Sequence, residues 1–301
     1  MHGYPMEEVS SDTYLGDVIS RDGKNKLNIE SRVAKGLGIV SQIMDTLKST
    51  SFGEHYFEMA VALRESMLVN GILTNCDVWY GLTDTDVGHL EEVDRLLFRQ
   101  VLGVPSSCPI EAFYLEMGCL PISVIIKSRR LNYLHYLVSR KENEMLYKFF
   151  SAQWKYPVKN DWTEQVKLDL EEFEISSNLE WIRSKSKLAF KKLVRSKDKE
   201  VALETLNEIK NKHSKMDSLF YVDLEMQDYL KDRRLKTSMA KAVFKFKTRM
   251  ANFSEKFKEG GQTKPCPMCQ EPNALDTQRH SLTCNVIETN IEIESSYEEI
   301  F

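Results

Sequence analysis

Three cysteines and one histidine near the end of the chain are spaced so that they could surround one metal ion. Two residues separate Cys266 from Cys269, ten separate Cys269 from His280, and three separate His280 from Cys284. Thiolates and a neutral imidazole are the ligands that favour zinc among the common intracellular cations. Four protein ligands complete a tetrahedral shell, so the spacing predicts structural Zn²⁺ with no position for an activated water. The alternative is a chance cluster, although three of the six cysteines fall into it.

Basic residues recur at every fourth position in two segments that precede this cluster. The first row, expected along one helix, is Arg183, Lys187, Lys191 and Arg195, with Leu179, Ile182, Ala189, Phe190 and Leu193 on the other side. The second row is Lys241, Lys245 and Arg249, opposite Met239, Val243, Phe246 and Met250. A line of cations on a rigid helix can follow a phosphate backbone and release its counterions. Each row is a candidate nucleic-acid contact, and the alternative for each is an ordinary solvated face.

The distribution of charge favours the nucleic-acid interpretation of these rows. The whole chain has a formal net charge of −4, but residues 183–258 contain 21 Lys and Arg against 10 Asp and Glu. Phosphate binding depends on such a local excess. Arg129 and Arg130 could add phosphate contacts, and Tyr133 and Tyr136 could stack on bases. The alternatives are a salt-bridged scaffold for the arginines and core packing for the tyrosines.

Composition and missing motifs exclude several classes of protein. The chain has 301 residues, 42% of them hydrophobic and 29% charged, which excludes a wholly disordered chain and allows a sizeable core. No apolar run approaches the roughly 18 residues of a membrane span, and the N-terminus has no secretory pattern. We therefore expect an intracellular protein, in the nucleus or the cytoplasm. The P-loop, nucleophile-elbow and H-E-x-x-H motifs are absent, so no catalytic residue is predicted.

The positions of apolar residues, glycines and prolines predict a mainly α-helical fold with a short β element at the N-terminus. Tyr14 to Ser20 indicates a strand that ends at the Asp22-Gly23 turn. Apolar residues then recur every three or four positions, which is typical of amphipathic helices. Helices are predicted at 29–47, 52–75, 87–101, 109–117, 121–140, 144–154, 162–173, 179–194, 201–210, 219–231 and 238–250.

These elements divide the chain into six segments. They are a strand and turn at 1–25, a helical region at 26–155, a basic helical region at 156–258, a flexible joint at 259–265, a Cys-Cys-His-Cys knuckle at 266–284, and an acidic tail at 285–301. The boundary near residue 155 is placed at the linker-like stretch Lys-Tyr-Pro-Val-Lys-Asn-Asp.

A series of short motifs resembles the region after the palm in the reverse transcriptases of non-LTR retrotransposons. In order they are Tyr14-Leu-Gly-Asp-Val-Ile-Ser-x-Asp-Gly, Gly36-Leu-Gly-Ile-Val, Leu63-Arg-Glu-Ser, Asn70-Gly-Ile-Leu-Thr-Asn-x-x-Val-Trp-Tyr, Leu90-Glu-Glu-Val-Asp-Arg-Leu-Leu, Glu111-Ala-Phe-Tyr-Leu-Glu-Met-Gly, Arg129-Arg-Leu-x-Tyr-Leu and the terminal knuckle. The resemblance covers nearly the whole chain. It is closest to elements that carry a knuckle followed by a restriction-like endonuclease.

The resemblance implies the C-terminal part of such an enzyme. The three catalytic aspartates of that family would precede Met1, and an endonuclease would follow the knuckle. Segment 1–25 would be the end of the palm beside the primer grip, and 26–155 and 156–258 would be a thumb-like domain and a linker. We therefore expect a fragment that binds template RNA or an RNA–DNA duplex without extending a primer. The alternatives are a truncated gene model of an active RNA-directed DNA polymerase and a non-catalytic, zinc-containing helical scaffold.

Overall fold

The fold is mainly α-helical, with a short β-hairpin at the N-terminus, as the sequence predicts. The computed structural model describes residues 9–50, 52–210, 221–251, 264–271 and 273–284. The predicted tail 285–301 and most of the predicted joint 259–265 lie outside the described residues.

The N-terminal segment forms two antiparallel strands, where the sequence predicts one. Strands β1 (Ser11–Tyr14) and β2 (Asp17–Ser20) are joined by Leu15 and Gly16, both of which have positive φ angles, 49° and 89°. Such a two-residue turn matches the twist of a hairpin. The prediction of one strand was wrong because a turn of only two residues leaves no break in the pattern of apolar residues. The second turn, at Gly23, is confirmed by a φ of 68°.

The helices follow the hairpin in an order close to the predicted one. They are α1 (Lys26–Ser49), α2 (Tyr56–Leu63), α3 (Asn70–Ile72), α4 (Asp84–Leu102), α5 (Ile110–Met117), α6 (Ile122–Val138), α7 (Met145–Lys155), α8 (Trp162–Glu172), α9 (Leu179–Ser184), α10 (Lys187–Lys210), α11 (Asp228–Lys231), α12 (Thr237–Lys247) and α13 (Gln278–Thr283). Thr83 caps α4 with a capping box, and Gly103 and Gly118 end α4 and α5 in the left-handed conformation.

Helix α6 lies at the centre of the bundle. It packs against α4, α7, α8, α9 and α10. Its buried side chains point to most sides of the helix; they are Ile122, Val124, Ile125, Ile126, Arg130, Leu131, Leu134, His135, Leu137 and Val138. A helix that is buried on most of its sides belongs to the interior of a bundle. Its surroundings therefore determine which of its polar residues reach the surface.

The segment predicted as one helix over 52–75 contains a π-helical turn. This turn, Arg64–Val69, lies between α2 and α3. Arg64 is fully buried and donates from Nε to Oδ1 of Asp94 over 2.8 Å and from Nη2 to the Leu120 carbonyl over 2.9 Å. The wider turn places the guanidinium inside the core, where it pairs with a buried carboxylate. Apolar periodicity carries no signal for such a pair.

The predicted helices at 179–194 and 201–210 are divided differently in the structure. The chain breaks at Lys185 and Ser186, and α10 then continues without interruption to Lys210. The Ser186 hydroxyl accepts the Ala189 amide over 3.2 Å, and the Lys185 carbonyl contacts Nε2 of His135 at 2.9 Å. A serine that caps a helix start favours a break in front of it. No glycine or proline occurs between this serine and Lys210.

The predicted helix at 219–231 is helical, within its described part, only at α11. Tyr229 donates from its hydroxyl to Oε2 of Glu116 over 2.6 Å, and Tyr221 donates to the other oxygen. Met226 pairs with Met117 as an antiparallel bridge. The buried Glu116 carboxylate requires donors. The segment therefore lies extended against α5 and supplies them.

The hydrophobic core is continuous across the boundary predicted near residue 155. Trp162, on the far side of this boundary, packs edge-on against Tyr133 at 5.7 Å between ring centroids. Its indole N–H also donates to the Asp77 carbonyl over 2.7 Å. The helical region and the basic region therefore share one core, which includes residues from Ile29 to Met250. Within the described residues, no helix has the length and apolar character needed to cross a bilayer.

Candidate metal centre and basic groove

A short bridge and a short helix bring the four predicted metal ligands together. Pro265 and Leu275 pair as an antiparallel bridge beside the first two cysteines. Helix α13 starts after Thr277, whose hydroxyl accepts the amide N–H of His280 at 3.0 Å. The helix therefore carries His280, and Cys284 at its C-terminal end, towards the bridge.

The ligand atoms of Cys266, Cys269, His280 and Cys284 all lie within 4.8 Å of one another. The sulfurs of Cys266 and Cys284 are 4.0 Å apart, and the sulfur of Cys269 is 3.3 Å from Nε2 of His280. Four soft or borderline donors therefore surround one point. The structure confirms that this cluster could hold a metal ion.

Backbone amides favour the thiolate form of Cys266. The N–H groups of Cys269 and, more weakly, Met268 stabilise its thiolate and lower the pKa of Cys266 to about 7, against the opposing effect of burial. The thiolate is the form of cysteine that binds metals. This sulfur therefore needs little energy to lose its proton.

The cluster has its own small hydrophobic core. Cys266, Ala274 and Cys284 are buried together, separately from the core of the helical body. A hydrogen bond of 2.9 Å from Nε2 of Gln278 to the Phe246 carbonyl joins α13 to the C-terminal end of α12. So small a core stabilises the region weakly by itself, and a metal ion would contribute much of its folding energy.

The first basic row does not lie along one helix. Arg183 belongs to α9, and Lys187, Lys191 and Arg195 belong to α10. Arg183 donates from Nε to the Val138 carbonyl over 2.8 Å and pairs with Glu142 at 3.1 Å. This prediction was wrong because a spacing of four residues implies a line only where the helix is unbroken.

Lys187 and Lys191 line a groove of about 870 Å³ between α6 and α10. Both lysines are exposed. Its other polar and aromatic lining residues are Glu65, Asp77, Ser128, Arg129, Asn132, Tyr133, His135, Tyr136, Ser139, Lys185 and Asp198. The structure thus brings part of the first row together with one of the two predicted arginines and with both predicted tyrosines.

The two neighbouring arginines of α6 have different environments. Arg129 is half-buried at the groove and donates to the Leu73 carbonyl and to Oδ1 of Asn70, each over 2.8 Å. Arg130 is buried and forms a two-pronged pair with Asp169, at 2.8 and 2.9 Å. Arg130 is therefore a scaffold residue in this structure, and its prediction as a phosphate contact was wrong.

The tyrosines form a short stack on the α6 side of the groove. Tyr133 and Tyr136 lie 5.6 Å apart between ring centroids, with 19° between their planes. The Arg140 guanidinium lies over the Tyr136 ring at 4.1 Å. Tyr136 is 42% exposed. The stack therefore ends at the surface in a flat cation, against which a base could stack.

The second basic row is also divided. Lys241 lies over the Tyr56 ring at 4.7 Å, and burial lowers its pKa. Lys245 is half-buried on α12. Arg249 follows the end of that helix, with a φ of 52°. These cations therefore do not form a regular line, because the helix ends at Lys247, before it reaches Arg249.

The buried face of α12 differs from the predicted one. Ala240 and Phe244 are buried, whereas Met239 and Val243 are 54% and 36% exposed. Met250 is buried as expected. Apolar residues occur on two adjacent faces of this helix, and only its packing against the body decides between them.

Asp198 is a groove residue that the sequence reasoning missed. It is buried at 5% exposure, and its Oδ2 accepts the Ser128 hydroxyl over 3.2 Å. Burial raises the pKa of its carboxyl from 3.8 to about 6. A signal existed in the sequence, because Asp198 continues the four-residue spacing of Phe190 and Val194, both buried. A carboxylate on the apolar side of a helix indicates a buried charge.

Comparisons with protein-family models, with curated proteins and with solved structures give no match to this chain. The resemblance to reverse transcriptases therefore stays a prediction. What the chain does is inferred below from the metal cluster and the groove.

Proposed function

We propose that this chain binds RNA or an RNA–DNA duplex, as the thumb, linker and zinc-knuckle part of a reverse transcriptase like those of non-LTR retrotransposons. The observation that carries the proposal is the groove between α6 and α10. Exposed Lys187 and Lys191 share it with Arg129 and the tyrosine pair. Grooves that bind nucleic acids commonly combine cations, which bind phosphates, with aromatic rings, which stack on bases.

The state of the lysines on α10 supports this interpretation. Lys197 is paired with Glu174 and Glu200, and Lys199 forms an ion pair as well. Lys187 and Lys191, by contrast, have no carboxylate within ion-pair distance among the described residues. Unpaired cations attract counterions, whose release drives phosphate binding. Among the described residues, Lys187 and Lys191 are therefore available to an anionic ligand, as is Lys192, which lies on the same helix outside the groove lining.

Zn²⁺ is the metal that the Cys-Cys-His-Cys cluster fits best. A tetrahedral zinc with thiolates at about 2.3 Å would separate them by about 3.8 Å. The Cys266 and Cys284 sulfurs, 4.0 Å apart, need only a small adjustment. With four protein ligands the ion would be structural: it would order the C-terminal region and leave no position for substrate. A thiolate-rich site of this kind fits a reducing compartment, the nucleus or the cytoplasm.

A salt titration of RNA affinity tests the role of the groove. We expect Lys187→Gln/Lys191→Gln to weaken binding to RNA of any sequence about equally, because phosphate contacts carry no base information. The slope of log K against log salt should fall by about 1.4 for a single strand, or about 1.8 for a duplex of B-DNA type, as two contacts are lost.

Lys197→Gln/Lys199→Gln is the matched control on the same helix. It removes the same charge, but from lysines that are already paired, so its salt slope should stay closer to that of the wild type. An unchanged slope in Lys187→Gln/Lys191→Gln, with normal helicity by circular dichroism, would contradict the proposal. Absence of RNA binding at low salt would favour the scaffold alternative.

A further inference from the structure

Asp198, which lines the groove, has a buried carboxylate oxygen without a partner among the described residues. Its Oδ1 atom is buried and accepts no hydrogen bond within the described ranges of the chain. Within the part of the chain that the structure describes, its Oδ2 atom accepts a hydrogen bond only from the Ser128 hydroxyl. Buried polar atoms without a partner are rare in folded proteins, because each keeps most of its desolvation penalty. Such an atom on a residue that lines a groove is available to a donor that a ligand brings.

The other buried carboxylates among the described residues each accept several hydrogen bonds, and at least one donor to each is a cation. Asp94 accepts the Arg64 guanidinium and the Tyr114 hydroxyl. Asp169 receives two N–H groups of one arginine, and Glu116 receives a lysine and two tyrosine hydroxyls. Asp198 has one neutral donor and lines a groove. It is therefore the buried acid whose geometry fits ligand binding better than scaffolding.

The groove combines two chemistries that a single nucleotide would satisfy. Exposed lysines at its rim suit a phosphate, and a carboxylate deeper within it accepts hydrogen bonds but cannot donate them. Among the bases, guanine presents two adjacent donors on its Watson–Crick edge, N1–H and the 2-amino group. Adenine and cytosine place an acceptor next to their amino groups, and uracil flanks its single N–H with two acceptors. A carboxylate therefore matches guanine best.

We propose that the groove between α6 and α10 binds an unpaired guanine, with Asp198 as the residue that reads its Watson–Crick edge. This inference rests on the proposed function and narrows it to single-stranded RNA at this site, because in a duplex that edge is occupied. Ser128 donates to one lone pair of Oδ2 and so positions the carboxylate, which leaves Oδ1 for one guanine donor and the second lone pair of Oδ2 for the other. The Tyr133–Tyr136 stack lines the same groove and offers an aromatic surface beside it.

Fluorescence anisotropy with three short uridine oligonucleotides tests the inference. One carries a central guanine, one a central inosine, which lacks the 2-amino group, and one a central adenine. The wild type should bind the guanine RNA about tenfold more tightly than either of the others, the discrimination typical of a good bidentate contact. This comparison needs no variant and so does not depend on how a substitution folds.

Asp198→Asn should abolish the preference for guanine. Its affinity for plain oligouridine should hold or rise, because a negative charge leaves the groove. Ser128→Ala should reduce the preference without abolishing it, since the carboxylate remains. Circular dichroism of both variants checks that the helical content is unchanged.

The outcomes separate this inference from the proposed function. In one outcome, the wild type binds the three RNAs equally while its log K still falls with log salt as phosphate binding requires. That result would overturn the guanine site and leave the proposed function standing. A guanine preference that survives in folded Asp198→Asn would also overturn it. Absence of binding to every RNA would overturn the proposed function and this inference with it.

Discussion

Replacing Asp198 by asparagine should stabilise the protein near neutral pH, although it removes a charge that the groove uses. The carboxylate is 5% exposed, and its pKa is raised to about 6 from an ordinary 3.8. Because the folded-state pKa is the higher one, the native protein holds this proton more tightly than the unfolded chain. The wild type therefore loses stability as the pH rises from about 4 to about 6.

The size of the effect follows from that difference in pKa. At about 1.4 kcal/mol per pKa unit, the shift of Asp198 corresponds to about 3 kcal/mol above pH 6. The asparagine keeps an oxygen for the Ser128 hydroxyl and never ionises. The free energy of unfolding of Asp198→Asn should therefore equal that of the wild type near pH 4, within about 1 kcal/mol, and exceed it by about 1–3 kcal/mol near pH 7.

Urea unfolding followed by far-ultraviolet circular dichroism, repeated across this pH range, measures the difference directly. Taking the difference between the two proteins cancels the titration of all other groups that the substitution leaves alone. Glu204→Gln, at an exposed position of the same helix, is the matched control and should follow the wild type throughout. A variant that is less stable than the wild type at pH 7, or a difference that does not change with pH, would refute the reasoning.

Two further predictions concern the metal and the docking of the extended segment. Removing metal with a chelator, or the substitution Cys266→Ser, should unfold only the C-terminal region, because its buried residues are separate from the main core. Substitution by Co²⁺ should give thiolate charge-transfer absorption. Loss of most of the helical circular-dichroism signal on chelation would contradict this prediction. Gly118→Ala should destabilise the fold by about 2–4 kcal/mol in thermal or urea melts, since Gly118 has a φ of +65° and a methyl group would lie 2.2 Å from the Met226 nitrogen. Gly88→Ala, in open space on α4, should instead stabilise it by up to about 1 kcal/mol, and similar effects of the two substitutions would be evidence against a close docking of residues 221–229 on α5.

Local chemistry explains what the sequence alone could predict. The metal cluster follows from four ligands within nineteen residues, close enough that a bridge and one helical turn bring them together. The ends of α4 and α5 follow from Thr83, Gly103 and Gly118, whose preferences act within a few residues. The mainly helical fold follows from periodicity over long segments, which survives small errors at the boundaries.

Only the tertiary structure decided which charged residues line the groove. Arg129 and Arg130 are neighbours in sequence, yet Arg130 turns inward to Asp169, while Arg129 reaches the groove. Lys191 and Lys197 lie on one helix, and of the two only Lys197 contacts glutamates among the described residues. Sequence spacing gives the direction of a side chain around its own helix, but the partner it meets comes from another helix.

The same reason explains why Asp198 was missed. Its position on the apolar side of α10 is readable from the spacing of Phe190 and Val194, but its role depends on α6, seventy residues earlier, which supplies Ser128 and the opposite wall of the groove. The burial and the hydrogen bonds of a side chain depend on the element that packs against it as well as on its own helix. The sequence therefore determined most of the helices and the metal ligands, and the packing of α6 against α10 determined the groove.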